Sequence, residues 1–414
     1  MNDCIFKEII EPIFSLIEQE ADIIKAEGDK YNLSFCPFAI NLLFCIIEGI
    51  KSISQLVTFI RTSPKAKELQ LVNASKSMYN EAFERYSVES FRKIFLYLVT
   101  NLDFIQIPEI KSLGRFFLID GSIFPVIKTM VWATYKKTTN AIKLHLCFEL
   151  NRLIPITFIS TEANYSEKKA LLQMLEKGIT FIADRGYFKF KLLKEIVDIG
   201  AHFIIRGMTK MLFTVVENLT VTIPDDLKSM IYDVKDMKVV FTNDPNKAEY
   251  RVVSFYVMGE LYNLVTDRFD LTTYEIIILY AYRWQVELIF RFIKRTLHGL
   301  HLMNHSPKGI EIQFILYMIA YLLMLHFKQR CHRISEAAAT TNTAEDAPSL
   351  PNGEGEAKKK NNRKTPSRVH RYDLVTMLGR RLQKYWKISI HWLIALRNLL
   401  FEKLTLENIQ ILVT

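Results

Sequence analysis

At Arg115 the hydrophobic period of the chain changes, and this change decides the fold class. Before it, apolar residues recur every three or four positions; after it, they gather into short runs separated by turn signals. Arg115 to Ile119, Val126 to Ala133, Ile142 to Leu150 and Pro155 to Ile159 read as four strands. Asn164 with Glu167 has the spacing of a capping box that opens a helix through Leu175, and Ile179 to Ala183 is a further strand. An α/β fold preceded by an all-helical module follows.

Residues 1 to about 110 form that module. Ile5, Phe6, Ile9, Ile10, Ile13, Phe14 and Ile17 mark one helix, and Ile53, Leu56, Val57 and Ile60 another that ends before Pro64. Ser75, a good N-cap residue, starts a third, and Ser87 to Leu98 makes a fourth. In the α/β part, 111–333, the order strand, strand, strand, helix, strand, helix is that of a ribonuclease H-type domain, and many other α/β folds share parts of it. Residues from about 202 to 266 are rich in Val, Ile, Tyr, Phe and Thr and read as a β-rich insertion. Helices follow from Thr273 to about Arg295 and from Glu311 to Lys328.

Residues 334–370 lose nearly all large apolar side chains and predict a disordered linker. Its first half, Ile334 to Ala357, is acidic, and its second, Lys358 to Arg371, is basic. A helical region, 371–414, closes the chain.

Over all 414 residues Lys and Arg outnumber Asp and Glu by 54 to 44, a net charge of +10 that favours an anionic partner, nucleic acid or a membrane surface. The membrane is the weaker choice, because no basic amphipathic helix with a Trp- and Phe-rich face stands out. The most apolar stretch, Phe314 to Leu325, is too short to span a bilayer and reads as a buried helix. The five cysteines are odd in number and form no CxxC pair, so neither a zinc site nor a disulfide framework is expected. Met1 is followed by acidic and polar residues rather than by a signal peptide, which points to a cytoplasmic location.

Two runs carry chemistry at their ends. Phe116-Phe117-Leu118-Ile119 leads into Asp120-Gly121, and Thr180-Phe181-Ile182-Ala183 into Asp184-Arg185-Gly186-Tyr187. A carboxylate at a strand end beside glycine faces a cleft and can approach a metal; each taken alone is also an ordinary Asp-Gly turn. On the Thr273 to Arg295 helix, Tyr280, Arg283, Glu287, Arg291 and Lys294 fall within a strip of about 80° at 100° per residue. The i,i+4 pairs Arg283–Glu287 and Glu287–Arg291 would decorate any solvated helix, yet they leave the two upstream aspartates unexplained. Three carboxylates from two strands and a helix suit two divalent cations that stabilise an in-line attack on phosphorus, with Arg and Lys to hold phosphates.

The spacing Tyr280-x2-Arg283-x3-Glu287-x6-Lys294 resembles the YREK signature of the IS4-type DDE transposases. Asp120-Gly121-Ser122 and Asp184-Arg185-Gly186-Tyr187 resemble that family's two aspartate motifs, and Lys143-Leu144-His145 a pattern usual between them. The similarity covers about Arg115 to Phe327. It implies a ribonuclease H-like core interrupted by the β-rich insertion. Asp120, Asp184 and Glu287 would bind two Mg²⁺, with Mn²⁺ able to substitute, while Tyr280, Arg283, Lys294 and the neighbouring Arg291 would contact double-stranded DNA. The implied reaction is cleavage at transposon ends and strand transfer into target DNA, by a homodimer on DNA. The other reading is a transposase-derived DNA-binding protein that no longer transposes.

The helical module resembles the family's end-binding domain. Lys76 and Asn80, on the helix after Ser75, would reach phosphate and base edges, or the helix is a plain member of the bundle. Tyr262 precedes Asn263-Leu264-Val265-Thr266, resembling the part of the insertion where an aromatic ring stacks on a flipped base; it also suits an ordinary strand.

Overall fold

Serine side chains cap three of the amino-terminal helices in the computed structural model, which describes residues 5–342 except 29–30, 137–138, 229–230 and 258. Ser52, Ser75 and Ser87 accept hydrogen bonds from the amides of Gln55, Met78 and Glu89, satisfying first-turn donors that no helix can satisfy itself. The helices are α1 (Ile5–Ala26), α2 (Phe35–Glu48), α3 (Ile53–Thr62), α4 (Pro64–Glu68), α5 (Lys76–Arg85), α6 (Val88–Asn101) and α7 (Pro108–Lys111). Phe6, Ile9, Ile10, Ile13 and Ile17 of α1 are buried, as their spacing requires.

The α/β part holds a ten-stranded sheet. Its strands are β1 (Arg115–Val126), β2 (Thr134–Lys136), β3 (Thr139–Glu149), β4 (Ile154–Glu162), β5 (Ile179–Ala183), β6 (His202–Arg206), β7 (Phe213–Asn218), β8 (Ile231–Phe241), β9 (Glu249–Val257) and β10 (Glu260–Thr266). Between them come α8 (Glu167–Leu172) and α9 (Phe190–Asp198), and after them α10 (Thr273–Ala281), α11 (Trp284–Arg291) and α12 (Pro307–Asn342). The spatial order is β2-β3-β1-β5-β6-β10-β9-β8-β7, with β4 paired to β3. β1 is antiparallel to β3 and parallel to β5, and β5 is parallel to β6.

Both faces of the central strands are covered, which explains why their sequences are continuous apolar runs rather than alternating ones. Phe116, Leu118, Ile182 and Ile204 enter a core shared with α10, α11 and α12. Phe117, Ile119, Phe181, Phe203 and Ile205 enter a second core with α8 and α9.

Several expectations change. The segment Val126 to Ala133 is no strand: β1 itself runs on to Val126, and Val131–Ala133 is a 3₁₀ turn. Asn164 does not cap a helix. Ser166 occupies that position, while the Asn164 side chain donates to Tyr135 O. The 202–266 region supplies β6 to β10, of which β6 and β10 pair within the main sheet and β7 to β9 extend it. The expected helix from Thr273 to Arg295 is interrupted. Tyr282 and Arg283 form a tight turn with i to i−3 bonds, and Phe292–Thr296 widens into a π turn.

The last described helix differs most from expectation. α12 continues past Lys328 to Asn342, into the segment read as a linker, through the helix-favouring Ala337-Ala338-Ala339. The remaining linker residues and the 371–414 region lie outside the described residues. Pro307–Cys331 is long and apolar enough to cross a membrane, but 89% of its apolar window is buried inside the protein. It packs on α1, α2, α5, α6 and β4, so the helical module and the α/β part share one core across the boundary expected near residue 110.

That shared core predicts a single unfolding transition. Leu322→Ala, at a position fully excluded from solvent, should cost about 2–5 kcal/mol and lower one calorimetric transition. Separate transitions for the two parts would show independent cores.

Candidate active site

Asp120 lies inside β1, not at its end: β3 stays paired along the strand as far as Val126, with Asp120 opposite Leu146. On the other flank β5 stops at Ala183, opposite Ile119. The cleft therefore opens where β1 loses one neighbour. Asp184 follows β5 directly and caps a 3₁₀ turn, its Oδ1 accepting from Gly186 N at 2.8 Å. Asp120 Oδ1 accepts from Gly121 N at 2.8 Å.

Glu287 comes from the first turn of α11, which packs over β1. Arg283, at the turn joining α10 to α11, donates from Nη2 to Glu287 Oε1 at 2.8 Å and from Nη1 to Asp120 Oδ2 at 3.5 Å. One guanidinium thus joins a strand carboxylate to a helix carboxylate. Tyr280 is buried beside it, within the field of both Arg283 and Asp184. Lys294 reaches back to β1, donating to Ser122 Oγ at 2.8 Å and Ile123 O at 2.7 Å over the Phe124 ring. Among the described residues no three His, Cys, Asp or Glu side chains stand close enough to clasp an ion as they are. A positive side chain occupies the space between two of the carboxylates instead.

Residues 111–323, which contain every one of these groups, match the family model of the transposase DDE domain. The chain belongs to the transposase DDE domain family. It is 26% identical over 258 residues to the putative transposase y4zB of Sinorhizobium fredii, covering 62% of this chain and 72% of that protein. It is 24% identical over 282 residues to a putative transposase of insertion sequence IS4SA from Synechocystis, covering 66% and 77%. A probable transposase of insertion sequence IS5377 from Geobacillus stearothermophilus is 23% identical over 215 residues, covering 50% and 55%. A solved piggyBac transposase synaptic complex with hairpin DNA is 10% identical, covering 94% of this chain and 80% of that one at a TM-score of 0.39. That likeness is too loose to define the fold.

The transposase's carboxylate cluster is electrostatically tense. Burial pushes the Asp120 carboxyl up to about 7, with Asp184 and Glu287 adding to the rise, and this outweighs the downward pull of Arg283 and the Gly121 amide. Burial also raises the Tyr187 phenol, helped by Glu167, Asp120 and Asp184. Its hydroxyl is buried without a hydrogen-bond partner.

The other expected residues Tyr262, Lys76 and Asn80 make no described hydrogen bond or ion pair with the three carboxylates. The Tyr262 ring is stacked on Phe255 at 5.5 Å, with the Arg206 guanidinium 4.0 Å from its centroid and Tyr280 edge-on at 6.5 Å. A flipped base would have to displace one of these neighbours. Arg291 ends α11 and is half-buried. Lys76 and Asn80 are exposed on α5, lining a cleft with Glu84 and residues 303–306, and no described hydrogen bond or ion pair links them to the carboxylates.

Sequence reasoning missed Glu167 as part of this site. It appeared there as a capping residue, but its carboxylate lies between Gly121 and Gly186 and pairs with Lys143 Nζ at 3.3 Å. Only the proximity of α8 to β1 and to the turn after Asp184 reveals this.

In the cation-free transposase the Asp120 carboxyl should titrate with a midpoint near pH 7, followed by its side-chain ¹³C resonance. Arg283→Gln should move that midpoint upward, because a favourable charge is lost. Since the folded-state pKa is raised, the associated stability is full below about pH 4, the unfolded value, and is lost as pH rises through 7. A midpoint in the usual carboxylate range would mean water reaches the site freely.

Proposed function

We propose that Asp120, Asp184 and Glu287 are the carboxylates with which this transposase cuts and joins DNA, on a ribonuclease H-like core, and that they hold two divalent cations, Mg²⁺ in the first place and Mn²⁺ as a substitute. The carrying observation is the Arg283 bridge between Asp120 and Glu287, with Asp184 close enough to raise Asp120. Two carboxylates from separate elements flank one positive group and a third lies within electrostatic range of Asp120, which is the environment a cation requires. The core assignment is supported by the strand order β4-β3-β1-β5-β6, in which only β3 opposes the direction of β1.

Bound divalent cations would stabilise charge on the attacking and leaving oxygens of an in-line displacement at phosphorus. The protein's own groups do the rest. Arg283 neutralises Asp120 and Glu287 in the cation-free site, and its planar donor fork would serve a phosphate of the transposon end. Lys294 spends two of its three ammonium hydrogens on Ser122 and Ile123, pinning the helix end to β1, and offers the third to a phosphate. Tyr280, buried against Arg283, sets the direction of that guanidinium. Arg291 adds positive charge at the end of α11. Lys76 and Asn80 of α5 contact the transposon end, and Tyr262 receives an unstacked base only after Arg206 swings away. Two copies of the chain act together on DNA.

Asp120→Asn, Asp184→Asn and Glu287→Gln should each reduce strand cleavage at least a hundred-fold while leaving gel-shift affinity for end DNA within a few-fold. Each amide keeps the shape and removes the charge. Cleavage near the wild-type rate by any variant would remove that residue from the proposed centre. Affinity should also fall by orders of magnitude between about 50 and 200 mM salt, because neutralised phosphates release counterions; a flat salt profile would contradict phosphate-led binding.

A further inference from the structure

Gly121 and Gly186 leave an opening on the α8 side of the carboxylate cluster, and Glu167 fills it. A Cβ on Gly121 would stand 3.5 Å from Glu167 Oε1, and one on Gly186 would stand 3.1 Å from Glu167 Oε2 and 3.0 Å from Asp184 Oδ1. One carboxylate therefore faces both glycines, each one or two residues past a proposed cation-binding aspartate. The absence of side chains there brings Glu167 and Asp184 oxygens to the same small space.

One further group reaches it, and Tyr187 lies in the field of Glu167, Asp120 and Asp184. His145 sits opposite Gly121 in the β1–β3 register and is fully buried. Its Nε2 is paired with Thr161 Oγ1 at 3.1 Å, whereas its Nδ1 has no partner and lies 3.4 Å from the Gly121 Cβ position. The buried Tyr187 hydroxyl is likewise without a partner. Buried polar atoms ordinarily find partners, so the unpaired His145 Nδ1 beside the Gly121 Cβ position marks a place suited to a polar ligand. Lys143 supplies Glu167 with a counter-charge from the strand side at 3.3 Å.

We propose that Glu167 is a fourth carboxylate of the divalent-cation centre, holding the ion on its Asp184 side, with Lys143 as the charge it pairs with when no cation is bound. This rests on the assignment of Asp120 and Asp184 as cation-binding residues. Hard divalent cations take oxygen ligands directly or through retained water, and carboxylates just behind the direct ligands commonly govern affinity by ten-fold or more.

The test is calorimetric titration of the full-length protein with Mn²⁺ alone, without DNA, comparing wild type with Glu167→Gln, Glu167→Asp, Lys143→Met, Asp120→Asn and Asp184→Asn. Glu167→Gln should weaken Mn²⁺ binding about ten-fold or more, and Glu167→Asp should restore most of it. Lys143→Met should tighten binding, because the competing ammonium is gone. If Glu167 serves only to space the two loops, Glu167→Gln, which keeps shape and hydrogen-bonding reach, would bind Mn²⁺ like wild type, and the proposal would fall while the aspartate assignment stood. Parallel losses in Glu167→Gln and Lys143→Met would assign the pair to loop positioning and equally overturn it. Unchanged binding in Asp120→Asn and Asp184→Asn would overturn the cation centre itself and this extension with it. Should Glu167→Gln melt early without metal, the opposed responses of Glu167→Asp and Lys143→Met carry the decision: loss of affinity in Lys143→Met would refute the proposal.

Discussion

One guanidinium holds the centre of this protein together. Arg283 and the Asp120 carboxylate are largely withdrawn from water, and the Glu287 carboxylate it also joins is half-buried. Burying several like charges side by side is costly unless a positive group stands among them. Asp120 illustrates the balance, for burial and its acidic neighbours raise its pKa even with Arg283 beside it. On the proposed reading, a divalent ion would supply the positive charge that Arg283 supplies now, and the side chain it would displace is well shaped to bind phosphate. Cation binding and DNA binding are coupled through one side chain in this account.

The fold exists to bring those charges together. β5 ends one residue before Asp184 and opposite Ile119, so both aspartates emerge at the same level of the sheet. α10 and α11 cross the face that Phe116 and Leu118 present, and the tight turn between them points Arg283 and Glu287 at Asp120. The π turn after α11 lets Lys294 reach the backbone of β1. From the opposite face α8 delivers Glu167 through the gap that two glycines leave. Behind all of this α12 fills the core common to the helical module and the sheet, which gives the site a rigid support.

Much of this was legible in the sequence, for reasons that differ by residue. The apolar runs ending in Asp120 and Asp184 named the central strands, because residues covered on both faces cannot alternate with polar ones. The spacing of Arg283 and Glu287 gave their contact, since i,i+4 neighbours meet on any helix. The sequence could not show that β1 continues past Asp120, because that depends on β3 remaining paired beside it. Nor could it show the break at Tyr282 and Arg283, where the apolar pattern runs on while the hydrogen bonds shift register. Glu167 was misread for a related reason: its spacing from Asn164 satisfied a local rule, but the carboxylate answers to Gly121, Gly186 and Lys143, which only tertiary structure brings near. The core that α12 shares with both parts was not legible, because amphipathic helices reveal which face is buried and not what buries it.

The central claim is that Arg283 stands where cation charge belongs. Its most direct test is a crystal structure of the protein soaked with Mn²⁺, with anomalous scattering used to locate the metal. The account predicts anomalous density among Asp120, Asp184 and Glu287, with the Arg283 guanidinium withdrawn from both Asp120 and Glu287. Mn²⁺ bound elsewhere, or bound at the cluster while Arg283 keeps both contacts, would contradict it.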